Sequence, residues 1–268
     1  MTRFVILATA FVLAGCVGPA IVPDGGVIAS AREVRIVAME SPPLGVGPNL
    51  LGDGSFPGVA VVGDATARAA GAVILIQTIL VAANAPDALR QAEQQGQVLR
   101  SVIDSGKAWL PTTVLASEVR TQLEALGLRV SVAPEPQPVP GVVDRTPSVW
   151  GENWLAPIRA WYNAPDAVSG SATATQGAQG LVFEVGISNY EILTGERFIL
   201  QVHIKVIDPS NGRVIGRARA ANPGALPRLS PLSRAFEDQA RLFKEVFALE
   251  SRRLVGECLR ELGFLPAR

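Results

Sequence analysis

Apolar and polar positions change period several times along the chain, and each change marks an element. The clearest run is RFILQVHIKVI (197–207), in which Phe198, Leu200, Val202, Ile204 and Val206 alternate with Gln201, His203 and Lys205. A period of two sends the first set to one face of a strand and the second set to the other. LVFEVGISNYEIL (181–193) is equally β-rich, and Thr194-Gly195-Glu196 is short enough to join the two as a hairpin. DPSNG (208–212) is a second turn signal leading into RVIGRARA, so three antiparallel strands in a meander are predicted.

Elsewhere the period is close to 3.6. Phe236, Ala240, Phe243, Phe247, Leu254, Cys258 and Leu262 form one stripe of a long closing helix, with Ser230 placed to cap it and Pro231 suited to its first turn. Leu115, Val119, Leu123 and Leu126 recur in the same way after Pro111, and Gly127 can take the left-handed conformation that ends a helix. Residues 87–107 read as a polar helix with Leu89, Ala92, Val98, Leu99, Val102 and Ile103 on one side. EVRIVAM (33–39) and LRVSVA (128–133) read as strands. Trp150, Trp154, Ile158 and Trp161 share one face of a helix that Pro157 can kink, and three of the four tryptophans in the chain lie there.

The elements predict an α/β fold of the α+β sandwich kind. Its sheet is mixed and largely antiparallel, with a C-terminal β-meander covered by amphipathic helices. The expected organisation is a signal peptide over 1–15, a lipid-anchored tether over 16–32, and one domain over 33–268 with loop insertions near 44–66 and 134–180. Two stretches resist this reading. The glycine-rich 44–64 invites comparison with phosphate-binding loops, yet it holds neither G-x-G-x-x-G nor a G-K-[ST] ending. Residues 69–83 carry no charge and span about 22 Å as a helix, short of a membrane crossing. They suit a core segment, an oligomer contact or partial membrane insertion, and periodicity does not separate these.

The first residues say most about location. Arg3 precedes an apolar run, Phe4 to Ala14, of about 16 Å as a helix, which is a signal-peptide length rather than an anchor length. The run ends Leu13-Ala14-Gly15-Cys16, which resembles the lipobox of bacterial lipoproteins. The resemblance implies cleavage before Cys16, a diacylglycerol on its thiol and an acylated new amino terminus. Each buried methylene of such chains contributes about 0.8 kcal/mol, so two or three chains hold firmly. Val17, rather than aspartate, follows the cysteine, which by analogy with Gram-negative lipoproteins implies the periplasmic side of the outer membrane.

Charge narrows the partners. The chain has 24 basic and 24 acidic residues, so it offers no basic footprint for a phosphate backbone, and no nucleic-acid partner is expected. With Cys16 lipidated, Cys258 is the one remaining thiol and no internal disulfide is possible. His203 is the only histidine; on the polar face of its strand it reads as solvent-facing or at an interface. It has no Cys or second His at ligand spacing and no G-x-S-x-G partner, so neither a metal site, a cofactor nor a catalytic residue is expected. Glu40, at the end of the first strand, is the least implausible polar site residue. Trp150, Trp154 and Trp161 form the candidate interaction surface if exposed, because aromatic platforms stack on sugars and peptides; pressed onto a sheet they are core.

The order of elements, with TTVLASEVRTQLEALGLRVSVA and VHIKVIDPSNGRVIGRARA, is also similar to small α/β domains of envelope assembly lipoproteins. These are the curli-secretion lipoprotein, the penicillin-binding-protein activators and the N-terminal domain of TolB-like proteins. Asp208, Gly212 and Val214 match the D-x-x-x-G-x-V turn between strands in those domains. The likeness implies a non-enzymatic envelope lipoprotein acting as an interaction or assembly factor, with envelope proteins as partners and self-association as a further expectation. The alternative is a ligand- or glycan-binding lipoprotein using the Trp150/Trp154/Trp161 face.

Overall fold

The structure, a computed structural model, describes residues 19–46, 86–104, 109–146, 152–168, 180–193, 197–222 and 232–266. Cys16, most of the glycine-rich stretch, residues 69–83, Trp150, Ser230 and Pro231 lie outside the described residues.

Alternation over 181–221 produces the expected meander: β4 (Leu181–Leu193), β5 (Arg197–Asp208) and β6 (Arg213–Ala221) pair antiparallel in turn. β1 (Glu33–Ala38) runs parallel to β4 on one side and to β3 (Arg129–Val132) on the other. The short β2 (Gly45–Val46) pairs with the far end of β4. The order β3-β1-β4-β5-β6 is the expected mixed, largely antiparallel sheet.

Helices cover both faces. On one lie α2 (Pro86–Asp104), α3 (Pro111–Glu124) and α6 (Glu237–Glu261). Pro111 occupies the first turn of α3, where its missing amide costs nothing, and Gly127 follows the helix at φ +82°. The β5 set from Phe198 to Val206 is fully buried against Leu115, Val119 and Leu123 of α3 and Phe243, Phe247, Leu254 and Cys258 of α6. On the opposite face lies α4 (Glu152–Asn163), whose Trp154, Ile158 and Trp161 pack with Met39, Val139 and Val142. The proline-rich crossing joins this layer by pairing Gln137 with Met39 at the sheet edge.

Two expectations are corrected here. The closing helix is not continuous: α5 (Leu232–Ala235) is followed by a left-handed turn at Asp238, Gln239 and Ala240, with φ of 49°, 59° and 61°. The cause is aromatic. Phe236 folds back to stack on Phe243 with ring centroids 5.0 Å apart. A continuous helix would separate them by about 10 Å along its axis. Each left-handed residue costs about 1–2 kcal/mol, and burial of Phe236 with its ring contact works against that cost.

Within the 16–32 stretch expected as a lipid-anchored tether, the described residues 19–32 pack against the body. Ile21 exchanges both backbone hydrogen bonds with Arg217 of β6, and α1 (Gly25–Ser30) is capped by Asp24, whose carboxylate accepts from the Gly26 amide at 2.7 Å.

Candidate functional site

The strongest concentration of polar chemistry lies between the meander and α4. Antiparallel register sets Glu184 directly opposite Lys205, and Gly186 opposite His203. These side chains point to the face away from α3 and α6, where an uncovered sheet would meet water. Here α4 covers it. Glu184 and Lys205 side chains are 0% exposed and His203 is 1% exposed, which corrects the expectation of a solvent-facing histidine.

Gly186 lets the helix approach. A Cβ at this position would stand 2.8 Å from Cη2 and Cζ3 of Trp161. The indole lies over the glycine, and its Nε1–H donates to Glu184 Oε2 at 2.8 Å. The Val168 amide donates to Glu184 Oε1 at 2.8 Å. Lys205 Nζ pairs with Glu184 Oε2 at 3.2 Å and donates to the carbonyls of Trp161 at 3.1 Å and Asp166 at 3.0 Å. An ammonium has three donors, and these three acceptors use them all. The same ammonium lies 5.4 Å from the Trp161 ring centre. Burial pulls the Lys205 pKa down, and the Glu184 charge pulls it back up.

Beside this pair runs a second network. β4 bulges between Ile187 and Asn189, and the extra residue, Ser188, turns its hydroxyl inward. Ser188 Oγ donates to Gln201 Oε1 at 2.8 Å and lies 2.7 Å from His203 Nε2. A hydroxyl has one proton, so His203 donates from Nε2 and is bare at Nδ1, which has no hydrogen-bond partner among the described residues. Burial first, then the charges of Arg219 and Arg159, push the imidazole down to about 3. Tyr162 packs edge-on to it with ring centroids 4.6 Å apart. Ser188 and His203 are at the distance of a nucleophile and its base, but the proton arrangement is the reverse of an activated serine. Among the described residues no group orients Nδ1, and both residues are buried. The arrangement clamps α4 to the sheet.

The sequence-derived candidates fall as follows. Trp154 and Trp161 are 2% and 3% exposed, so the pair is core and offers a ligand no platform. Trp150 lies outside the described residues, as does Cys16. Glu40 pairs with Arg145 at 2.8 Å, well apart from the Glu184 network in its bonding. Glu191, not singled out from sequence, is half-buried beside Gly45 at the β2 pairing, and burial raises its carboxyl to about 7. Among the described residues no His, Cys, Asp and Glu side chains converge to hold a metal ion. A cleft of about 100 Å³ at the α5–α6 turn is lined by Arg234, Glu237, Asp238, Arg241 and Leu242. It is below the range of about 300–1,000 Å³ usual for organic ligands.

Sequence reasoning missed the Glu184–Lys205 pair because strict alternation assigns Lys205 to water. A signal was present nonetheless. Glu184 interrupts the otherwise apolar LVFEVGI, a run buried on both faces, and Gly186 in mid-strand marks a close approach.

No family model matches the chain, and no curated protein matches it. Among solved structures it is similar to the PelC dodecamer from Paraburkholderia phytofirmans in two crystal forms. One, a point variant, has 13% identity and a TM-score of 0.38, covering 91% of this chain and 98% of that one. The other has 11% identity and a TM-score of 0.39, covering 91% of this chain and 94% of that one.

Proposed function

We propose that this chain is a lipid-anchored protein of the bacterial envelope, held by acyl chains on Cys16 at the periplasmic side of the outer membrane. Its α+β body acts as a non-enzymatic interaction or assembly factor. The observation that carries the reading is the lipobox Leu13-Ala14-Gly15-Cys16, three residues before Pro19, whose carbonyl Arg217 of β6 holds. That spacing suits a body held close to a bilayer rather than a diffusing one. The buried polar groups support the non-enzymatic part: Glu184 and Lys205 are committed to each other and to the backbone, and His203 is neutral and inaccessible. Envelope proteins, further copies of this chain among them, are the partners the reading expects. The glycan-binding alternative loses its support with the burial of Trp154 and Trp161.

Fractionation and crosslinking test the proposal. The wild-type chain is expected in the outer-membrane fraction, and Cys16→Ser in the soluble or inner-membrane fraction with its leader retained. Crosslinking of intact cells should yield discrete adducts with envelope proteins. Equal partitioning of the two forms defeats the anchor, and a wild-type chain that gives no adduct defeats the assembly role.

A further inference from the structure

A lipid on Cys16 would fix more than attachment, because residues 19–23, three positions further on, are docked. The Ile21 amide donates to the Arg217 carbonyl at 2.9 Å, and the Arg217 amide returns a bond to Ile21 at 2.8 Å. The Arg217 guanidinium donates from Nε to the Pro19 carbonyl at 3.0 Å and from Nη1 to the Asn163 carbonyl at 3.2 Å. It also lies 5.7 Å from the Tyr162 ring centre. Pro23 seats against Gly216, where a Cβ would come within 2.6 Å of Pro23 Cγ. These contacts hold residues 19–23 along β6, the edge strand of the sheet.

Covalent geometry then limits the anchor. Three Cα–Cα steps of about 3.8 Å place the Cys16 Cα within about 11 Å of Pro19. Beside that point stand two exposed apolar side chains, Ile21 at 37% and Val22 at 60%. The exposed Arg213 lies farther along the same strand. Exposed apolar side chains with an exposed arginine on the adjoining strand suit an interface between lipid phosphates and water.

We infer that the β6 edge, with the docked segment 19–23, is the membrane-facing surface of the protein, and that Ile21 and Val22 enter the headgroup layer. The inference rests on acylation at Cys16. It sets β3, four inter-strand steps or roughly 19 Å away, on the side turned from the bilayer.

Site-directed fluorescence tests it on the full chain, expressed with its own leader. The purified protein is reconstituted in phosphatidylethanolamine and phosphatidylglycerol vesicles that carry headgroup-nitroxide lipid. Single-label variants Val22→Cys, Ser131→Cys and Leu249→Cys take a bimane probe; Cys258 is fully buried and stays unlabelled. Gly25→Cys, where a Cβ meets no atom within 4 Å, is a second reporter on the docked side. Nitroxide quenching at positions 22 and 25 is expected to exceed that at 131 and 249 at least threefold. Equal quenching at all four, or stronger quenching at 131 or 249, overturns the inference. Intact mass on the same preparation separates the failures. Acylated protein with equal quenching refutes the orientation alone, whereas unacylated protein that stays off the vesicles removes the anchor and the orientation together.

Discussion

Replacing Lys205 with methionine puts an uncharged chain of similar length into the layer beneath α4. The ammonium leaves three acceptors: Glu184 Oε2 at 3.2 Å and the carbonyls of Trp161 and Asp166 at 3.1 and 3.0 Å. Trp161 keeps a donor, since the Ala164 amide reaches its carbonyl at 3.2 Å, but the Asp166 carbonyl loses its lysine. The larger effect falls on Glu184, which retains the Trp161 and Val168 donors yet loses its countercharge at 0% exposure. Removing one partner of a buried ion pair costs about 3–5 kcal/mol, and Lys205→Met should lose that much. Glu184→Gln alone leaves the lysine among carbonyls and should lose about 2–3 kcal/mol. The double variant removes both charges together, so its loss should fall short of the sum of the singles by about 2–3 kcal/mol. Urea unfolding of the mature chain, followed by far-ultraviolet circular dichroism, measures all four corners of the cycle. Additive losses, or a loss below about 1 kcal/mol for Lys205→Met, would show that the pair is solvated. The clamp reading of α4 would then be wrong.

Three further predictions address other parts of the molecule. Gly186→Ala drives a methyl into the Trp161 ring, which stands 2.8 Å from the new Cβ. It should cost about 1–3 kcal/mol and red-shift tryptophan emission; an unchanged spectrum and midpoint would contradict the close approach. Gln239→Gly relieves a left-handed residue at φ 59° and should stabilise the chain by about 0.5–1 kcal/mol. A loss of about 1 kcal/mol in the same unfolding assay would mean that position 239 is helical. Glu191 has its carboxyl raised from 4.5 to about 7 by burial, so its contribution is complete below pH 4.5 and disappears as pH rises through about 7. Glu191→Gln should therefore raise the urea midpoint relative to wild type at pH 8 and leave it nearly unchanged at pH 4; a pH-independent difference would remove the desolvated carboxylate from the account.

What the sequence revealed and what it concealed have separate physical causes. Phe198 through Val206 announce a half-buried strand because period-two alternation is a local property, and Asn211-Gly212 announces a turn for the same reason. Pro111 and Gly127 marked the ends of α3 through their own backbone restrictions. His203 and Lys205 were misjudged because their burial depends on α4, more than forty residues earlier, folding over that face. Alternation reports which residues share a face and is silent about what covers the second one. The left-handed turn at 238–240 was hidden similarly, since the helical stripe runs unbroken through it and the stacking of Phe236 on Phe243 is tertiary. For the candidate site, Trp154 and Trp161 were legible as one face of a helix, while the direction of that face was not. Glu184 and Gly186 could have indicated it, being a charge and a gap in LVFEVGI, a run otherwise apolar on both sides.

The claim on which location, orientation and role all rest is a covalent lipid at Cys16. Intact-protein and N-terminal peptide mass spectrometry of the native membrane fraction tests it directly. The account predicts a chain that begins at Cys16 and carries diacylglycerol on the thiol. A chain that begins at Met1, or one cut at another position with Cys16 unmodified, contradicts it.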